Sequence, residues 1–501
     1  MLIDYLLDKC ELQQLTVYRQ LKEQDSLTPS KLRKLNGLKH TQLEQILRDI
    51  QVTLNQTVPT SQLTCNPKRV SLHPNAPSVQ DYRQAVLQQS LISQVILFML
   101  AHPDKKLADF CQEYYVSRAT VFRRLDRFHE LLTIFQVKLN VTQLNLCGKE
   151  LSIRYLLLTL LLLIQPDLTK LAPLSTEETQ MLHNLSGLFD PTTASDHQKA
   201  LLFPIQIGAL RRRAGFFIKE VIPLDQIPVP KELLLQQKTL LTDYLATSTP
   251  DFYHQREYNA FYFFLYTSPV YTRYDTKLFQ AFQEWCAKKY EGQQIIQRLC
   301  KKIARHFFSG HPPESFDLIE ANLVCLFYIS QLLGYAPPFN YLELEGNLRH
   351  RSPIYHQVEQ FCGNFLQNIA KRQGYAWLSS NTSCLASSFA YLLSPSVVAH
   401  TRHKIIRVTV LAEHYFISTM PLYFFLCNQP YVELVPCDQL NKTPPDLVIF
   451  QQASSLPRDY LGDAYRYSSH DVLTNFTDLA SCLHHLQKAG ISFTEPYKNP
   501  N

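Results

Sequence analysis

Over residues 40–54 the apolar positions Leu43, Ile46, Leu47, Ile50 and Leu54 fall at i, i+3, i+4, i+7 and i+11. That spacing predicts one buried stripe on a helix from about His40 to Leu54. A helix over about Leu2–Glu23 precedes it. Between them, Thr28-Pro29-Ser30 offers a capping hydroxyl and a proline that lacks the N–H the first turn would leave unpaired. KLRKL then makes a short helix, and Asn36-Gly37 ends it with a residue that tolerates left-handed backbone. Two short helices across a tight glycine turn are a helix-turn-helix.

The pattern returns over 82–148. A helix is expected over Tyr82–Ala101, and a short one over Lys106–Glu113 with Leu107, Phe110 and Cys111 inward. Tyr114-Tyr115-Val116 makes the turn, and Ser117 caps the helix that continues through SRATVFRRLDRF. At about 100° per residue, Val121, Phe122, Leu125, Phe128 and Leu132 share one face, and Thr120, Arg123, Arg124 and Arg127 share the other. Arg118 lies nearer the core side, but from the first turn it can reach outward. Two alternating runs follow, Phe135–Val141 and Gln143–Gly148, and their period of two predicts a hairpin placed as a wing.

Residues 151–394 read as mostly helical, with apolar helices at Tyr155–Ile164, Lys231–Leu245, Lys277–Tyr290, Gln293–Phe308, Leu318–Leu333 and His356–Ala370. The run Tyr155–Ile164 is too short for a bilayer, which needs about 20 residues, and reads as a buried core helix. From about 403 the pattern changes. Lys404–Leu411, Tyr431–Val435 and Asp446–Phe450 read as strands, and Phe416–Leu426 and Thr474–Lys488 as helices, which implies a small parallel α/β sheet. The fold class expected is therefore mainly α and multidomain: winged helix-turn-helix units, helical bundles and a small C-terminal α/β domain. The expected divisions are 1–62, 80–150, 151–290, 291–395 and 403–501.

Charge adds a partner. Of the formal net +6, residues 1–150 hold most, with 19 Lys and Arg against 14 Asp and Glu. Such asymmetry suggests an anionic partner for the first third. A helix that buries one face and presents arginines on the other suits the major groove of double-stranded DNA, where arginine bonds guanine edges or phosphates. The candidate DNA contacts are Ser117, Arg118, Thr120, Arg123, Arg124 and Arg127, with Lys105, Lys106 and Lys138 on the backbone. From the first unit they are His40, Thr41, Gln45 and Arg48, on a nearly neutral face.

The remaining chemistry is sparse. Glycine is scarce at 13 residues, and neither GxGxxG nor GxxxxGK[ST] occurs. None of the 12 cysteines forms a CxxC pair, and no HExxH or Gly-x-Ser-x-Gly is present. No catalytic residue, metal site or cofactor is assigned. The opening MLIDYLLDKCELQQ has acids early and no basic-then-apolar order, so no signal peptide is read and a cytoplasmic protein is expected. A triple arginine, Arg211-Arg212-Arg213, reads either as an anion site or as a solvated helix end.

The segment from Val116-Ser117-Arg118-Ala119-Thr120 through the wing to Gly148-Lys149-Glu150-Leu151-Ser152-Ile153-Arg154 resembles Mga-family transcriptional regulators, virulence-type regulators of low-GC Gram-positive bacteria. The G-x-E-x-x-I-R after the wing, together with two successive helix-turn-helix units, carries the resemblance. It implies two helical phosphotransferase-system regulation domains (PRD) in the middle, receiving phosphate on histidine from sugar phosphotransferase donors and mediating dimerisation or higher assembly. His197 and His356 are the candidates. It also implies an enzyme IIB-like C-terminal domain. The loop after its first strand, Ala412-Glu413-His414-Tyr415, lacks the cysteine that phosphoryl transfer would need, so no enzyme is expected. The other classes weighed are a helical scaffold or adaptor without DNA binding, and a phosphotransferase-system enzyme.

Overall fold

The computed structural model describes residues 2–24, 26–57, 63–164, 194–223, 249–266, 277–286, 290–308, 316–337, 353–400, 406–411, 431–436, 445–450 and 463–467, with isolated positions and short pieces between them. The chain is mainly α and forms two compact units, residues 1–398 and 399–501.

The first unit opens with a 3-10 turn, Leu2–Tyr5, followed by α1 (Lys9–Glu23), α2 (Pro29–Asn36) and α3 (His40–Thr57). The single helix expected over 2–23 is broken. Asp8 takes extended backbone and caps α1: its carboxylate accepts the Glu11 N–H at 2.7 Å while the Glu11 carboxylate accepts the Asp8 N–H at 2.6 Å. This reciprocal capping box satisfies first-turn donors that a continuous helix would not leave open. The α2 cap at Thr28 and the left-handed Gly37, with φ of 62°, stand as expected. A hairpin that the polar run Leu63–Leu72 did not announce follows: β1 (Leu63–Asn66) pairs antiparallel with β2 (Arg69–Leu72), and Leu27 bridges Val70. The first helix-turn-helix is therefore also winged.

The helix expected over 82–101 is two helices, α4 (Val79–Gln89) and α5 (Leu91–Ala101), bent by 58°. Ser90 causes the break. Its backbone is extended and its Oγ accepts the Ser93 N–H, a local bond that competes with continued helix. Next come α6 (Leu107–Glu113), α7 (Arg118–Ile134), the wing strands β3 (Lys138–Asn140) and β4 (Asn145–Cys147), and α8 (Glu150–Ile164). The two winged units share one core. Tyr18 of α1 stacks on Tyr82 of α4 with ring centroids 3.6 Å apart, and the Tyr82 hydroxyl accepts from Gln14 Nε2 at 2.6 Å.

Beyond α8 the unit continues as helices α9 (Ala194–Arg213), α10 (Asp251–Tyr266), α11 (Lys277–Cys286), α12 (Glu291–Phe307), α13 (Phe316–Leu333), α14 (Pro353–Ala370) and α15 (Thr382–His400). Helix α10 and α15 were not foreseen, because aromatic and serine-rich composition hides a helical stripe. The helix expected at 231–245 lies outside the described residues apart from position 245. Nearly every residue of α8 is buried, as its unbroken apolar run requires. Helix α13 is the one described helix long and apolar enough to cross a membrane, and 61% of it is buried against this same core. Burial pushes the thiols of Cys325 and Cys362 up to about 12, so these cysteines are inert packing groups.

In the second unit, β5 (Ile406–Leu411), β6 (Val432–Leu434), β7 (Leu447–Phe450) and β8 (Ala464–Arg466) form a parallel sheet in the order β6-β5-β7-β8. Three of these strands match the expected ones, and β8 is additional. Described residues 422–423, 425–427 and 478–483 are helical, overlapping the helices expected over 416–426 and 474–488, with the first running one residue further than expected. The loop 412–415 lies outside the described residues.

Candidate nucleic-acid interface

Helix α7 begins where its sequence says. Ser117 Oγ accepts the Thr120 N–H at 3.1 Å and also meets Thr120 Oγ1 at 2.8 Å, so both hydroxyls serve the cap. The preceding turn is tight: Tyr115 sits in left-handed backbone with φ of 54° and is 96% exposed. Val121, Leu125, Phe128, Leu131 and Leu132 are buried and clamp α7 to the core.

The exposed face differs from the expected one by a small rotation. Arg118, Ala119, Phe122, Arg123, Asp126 and Arg127 are exposed. Phe122, expected in the core, is 46% exposed. Thr120 and Arg124 sit at the flank. Arg118, Arg123 and Arg127 have no ion-pair partner among the described residues.

Arg124 is held instead by α1. Its Nη1 pairs with Asp8 Oδ2 and lies 3.6 Å from Glu11 Oε2, with only 28% of its side chain exposed. Burial pushes the Glu11 carboxyl up to about 7. The capping box that starts α1 thus also neutralises one of the arginines expected to face outward. Periodicity could not reveal this, because the partner lies more than a hundred residues away. A cavity of about 470 Å³ follows the junction, lined by Leu7, Lys9 and Cys10 on one side and by Arg123 and Arg127 on the other.

The lysines divide similarly. Lys105 pairs with Glu113 at 3.0 Å and lies 5.2 Å over the Phe98 ring, so it is engaged. Lys106 is exposed at the start of α6, and Lys138 is exposed on β3 opposite Cys147. The wing is seated by Leu139 and Leu146, both buried, and by the Leu107 N–H, which donates to the Thr142 carbonyl at 3.2 Å. In the first unit His40, Thr41, Gln45 and Arg48 are all exposed on α3. His40 faces Glu44 at 3.4 Å, and Gln45 donates to Asp49 at 2.8 Å.

The G-x-E-x-x-I-R segment is not part of the exposed surface. Gly148, with φ of 150°, turns the chain from β4 into α8, and a Cβ there would lie 3.2 Å from the Gln136 carbonyl. Glu150 and Arg154 enter a buried network. Arg211 grips Glu150 through two bonds of 2.9 and 2.7 Å, and Arg154 bonds Glu150 at 3.0 Å. Arg154 also grips Glu257 of α10 at 2.7 and 2.8 Å, and Glu257 further accepts the Ile218 N–H at 2.8 Å. Arg212 lies 3.5 Å from Glu257. Burial alone would raise the Glu257 carboxyl, but Arg154 and Arg212 outweigh it and hold the group below its ordinary value. The triple arginine is therefore neither a solvated end nor an open anion site: Arg211 and Arg212 are buried in ion pairs, and Arg213 alone is exposed.

Of the two candidate phosphorylation sites, His356 is 60% exposed on its side chain and lies 3.6 Å from Glu359. His197 falls in α9, and its side chain lies outside the described residues.

Residues 75–161 match the family of the Mga helix-turn-helix domain, a span that runs from just before α4 through the wing into α8. No curated protein matches the chain.

Proposed function

We propose that the chain is a DNA-binding transcription regulator of the Mga type, with α7 in the major groove of double-stranded DNA. The observation that carries this is the α7 surface. Arg118, Arg123 and Arg127 stand exposed without ion-pair partners among the described residues, on a capped helix whose other side is core. Side chains of this kind bond base edges and phosphates, and the wing with Lys138, together with Lys106, lies alongside for backbone contacts. Helix α3 presents His40, Thr41, Gln45 and Arg48 as a second, weaker reading surface. The family match over residues 75–161 supports this reading.

Binding is tested by mobility shift of the full chain on duplex DNA at two salt concentrations. The affinity is expected to fall steeply with salt, by roughly 0.9 in log–log slope for each phosphate neutralised. A salt-independent signal, or none, would leave a scaffold or adaptor as the better reading.

The finer elements of the proposal concern control. The helical stretches 151–290 and 291–395 act as PRD-like phosphotransferase-system regulation domains, and 403–501 as an enzyme IIB-like domain that assembles or senses rather than transfers phosphate. A homodimer or larger assembly joins two half-sites and multiplies effective concentration. Sugar phosphotransferase donors modify His356 or His197 and shift that assembly. The exposure of His356 is compatible with phosphorylation. Incubation with a phosphoryl-donor system followed by mass spectrometry of the histidines tests it, and an unmodified protein refutes it.

A further inference from the structure

The α7 surface carries one group that phosphate binding leaves unused. Phe122 is 46% exposed although α7 already fills its core side with Val121, Leu125 and Phe128, each at most 2% exposed. The ring has no aromatic partner among the described residues, and it stands in the first turns after the Ser117 cap. It shares its ridge with Arg118 at i−4 and Ala119 at i−3, both exposed, and Arg123 follows it. Helical positions three and four apart are surface neighbours, so the outer corner of α7 is a small apolar spot with the Arg118 and Arg123 guanidinium groups beside it and the exposed Asp126 carboxylate at i+4, one turn further from the helix start.

These neighbours limit what can cover the spot. A basic or purely apolar partner would face unpaired arginines. A polyanion that carries a small apolar group fits both features. In the major groove the distinctive apolar group is the 5-methyl of thymine, and phenylalanine and alanine side chains contact it. The N-terminal residues of a recognition helix are also the ones that reach base edges.

We infer that Phe122, with Ala119 beside it, is a specificity-determining residue that reads a thymine methyl in the DNA bound by α7. The inference rests on the DNA-binding reading above and adds a base preference to it. Arginines supply affinity through charge, whereas the ring supplies discrimination between thymine and a base that lacks the methyl.

The test uses the full chain. Duplexes are enriched from a randomised DNA pool on the wild-type protein, and the enriched duplex is remade with uracil replacing each thymine in turn. Uracil keeps every hydrogen-bonding group and removes only the methyl. At one position per bound half-site the wild type should lose about fourfold in affinity, the magnitude of burying one methyl-sized group. Phe122→Ala, which cuts the contact back to a single methyl, should lose most of the discrimination between the thymine and uracil duplexes, with the same salt slope as the wild type and an unchanged melting curve, since the core side of α7 is filled by Val121, Leu125 and Phe128. The inference is overturned if no uracil substitution weakens the wild type, or if Phe122→Ala keeps the full discrimination. It is also overturned if Phe122→Ala changes only the assembly state measured by light scattering, which would make the ring a contact between copies. If no duplex binds with salt-dependent affinity, the DNA-binding reading itself fails, a result distinct from a protein that binds DNA without sensing the methyl.

Discussion

At the scale of single residues, two adjacent arginines on α7 have different partners. Arg123 faces solvent, whereas Arg124 is a strut to Asp8 and Glu11 at the start of α1. Arg123→Ala should therefore weaken DNA binding and, if the residue meets phosphate, lower the salt slope by about one unit. Its effect on stability should stay within about 0.5 kcal/mol, as for other exposed positions. Arg124→Ala leaves partly buried carboxylates without their cation and should cost about 1–3 kcal/mol of stability. Urea unfolding of the two variants separates them, and equal midpoints would contradict the assignment. The distinction was invisible along the chain, because 100° spacing places both arginines on the polar side and only the packing of α1 takes one away.

At the scale of elements, the wing depends on its last residue. Gly148 holds a backbone conformation that side chains rarely adopt, in close approach to the Gln136 carbonyl. Gly148→Ala should lower stability by about 1–2 kcal/mol through left-handed strain, read as a lower melting temperature. An unchanged melt would show that the turn has room to relax. The elements themselves were largely legible: caps at Thr28 and Ser117, the glycine stop at 37 and the alternation at 135–148 all act over a few residues. Breaks at Asp8 and Ser90 were missed because a short polar side chain inside an apolar run reads equally well as a helix interior. The β1–β2 hairpin was missed because its strands are short and mostly exposed, so little alternation marks them.

At the scale of the whole molecule, the buried network ties the end of the second wing to the helical bundle through Glu150, Arg154, Arg211 and Glu257. Removing one partner of such a group strands the opposite charge, so Glu257→Gln should cost about 3 kcal/mol near neutral pH. The sign with pH follows from linkage. The Glu257 carboxyl is held below its ordinary value of 4.5, so its contribution is complete above that value and is lost as pH falls through the folded-state value. The stability gap between wild type and Glu257→Gln should therefore narrow on acidification. A gap that stays constant from neutral to acid pH would mean that the ionised carboxylate is not what stabilises the fold.

The sequence by itself determined the things that depend on neighbours along the chain: helix caps, the periodic stripes that became core, the wing of the second unit and the cationic character of α7. Tertiary structure alone decided the partners of the charges. It turned Arg124 inward to Asp8, buried Arg211 and Arg212 against Glu150 and Glu257, and left Phe122 in solvent. The physical reason is range. Propensity, capping and periodicity act within a few residues, whereas burial of a charge or a ring is set by which distant surface the fold brings against it.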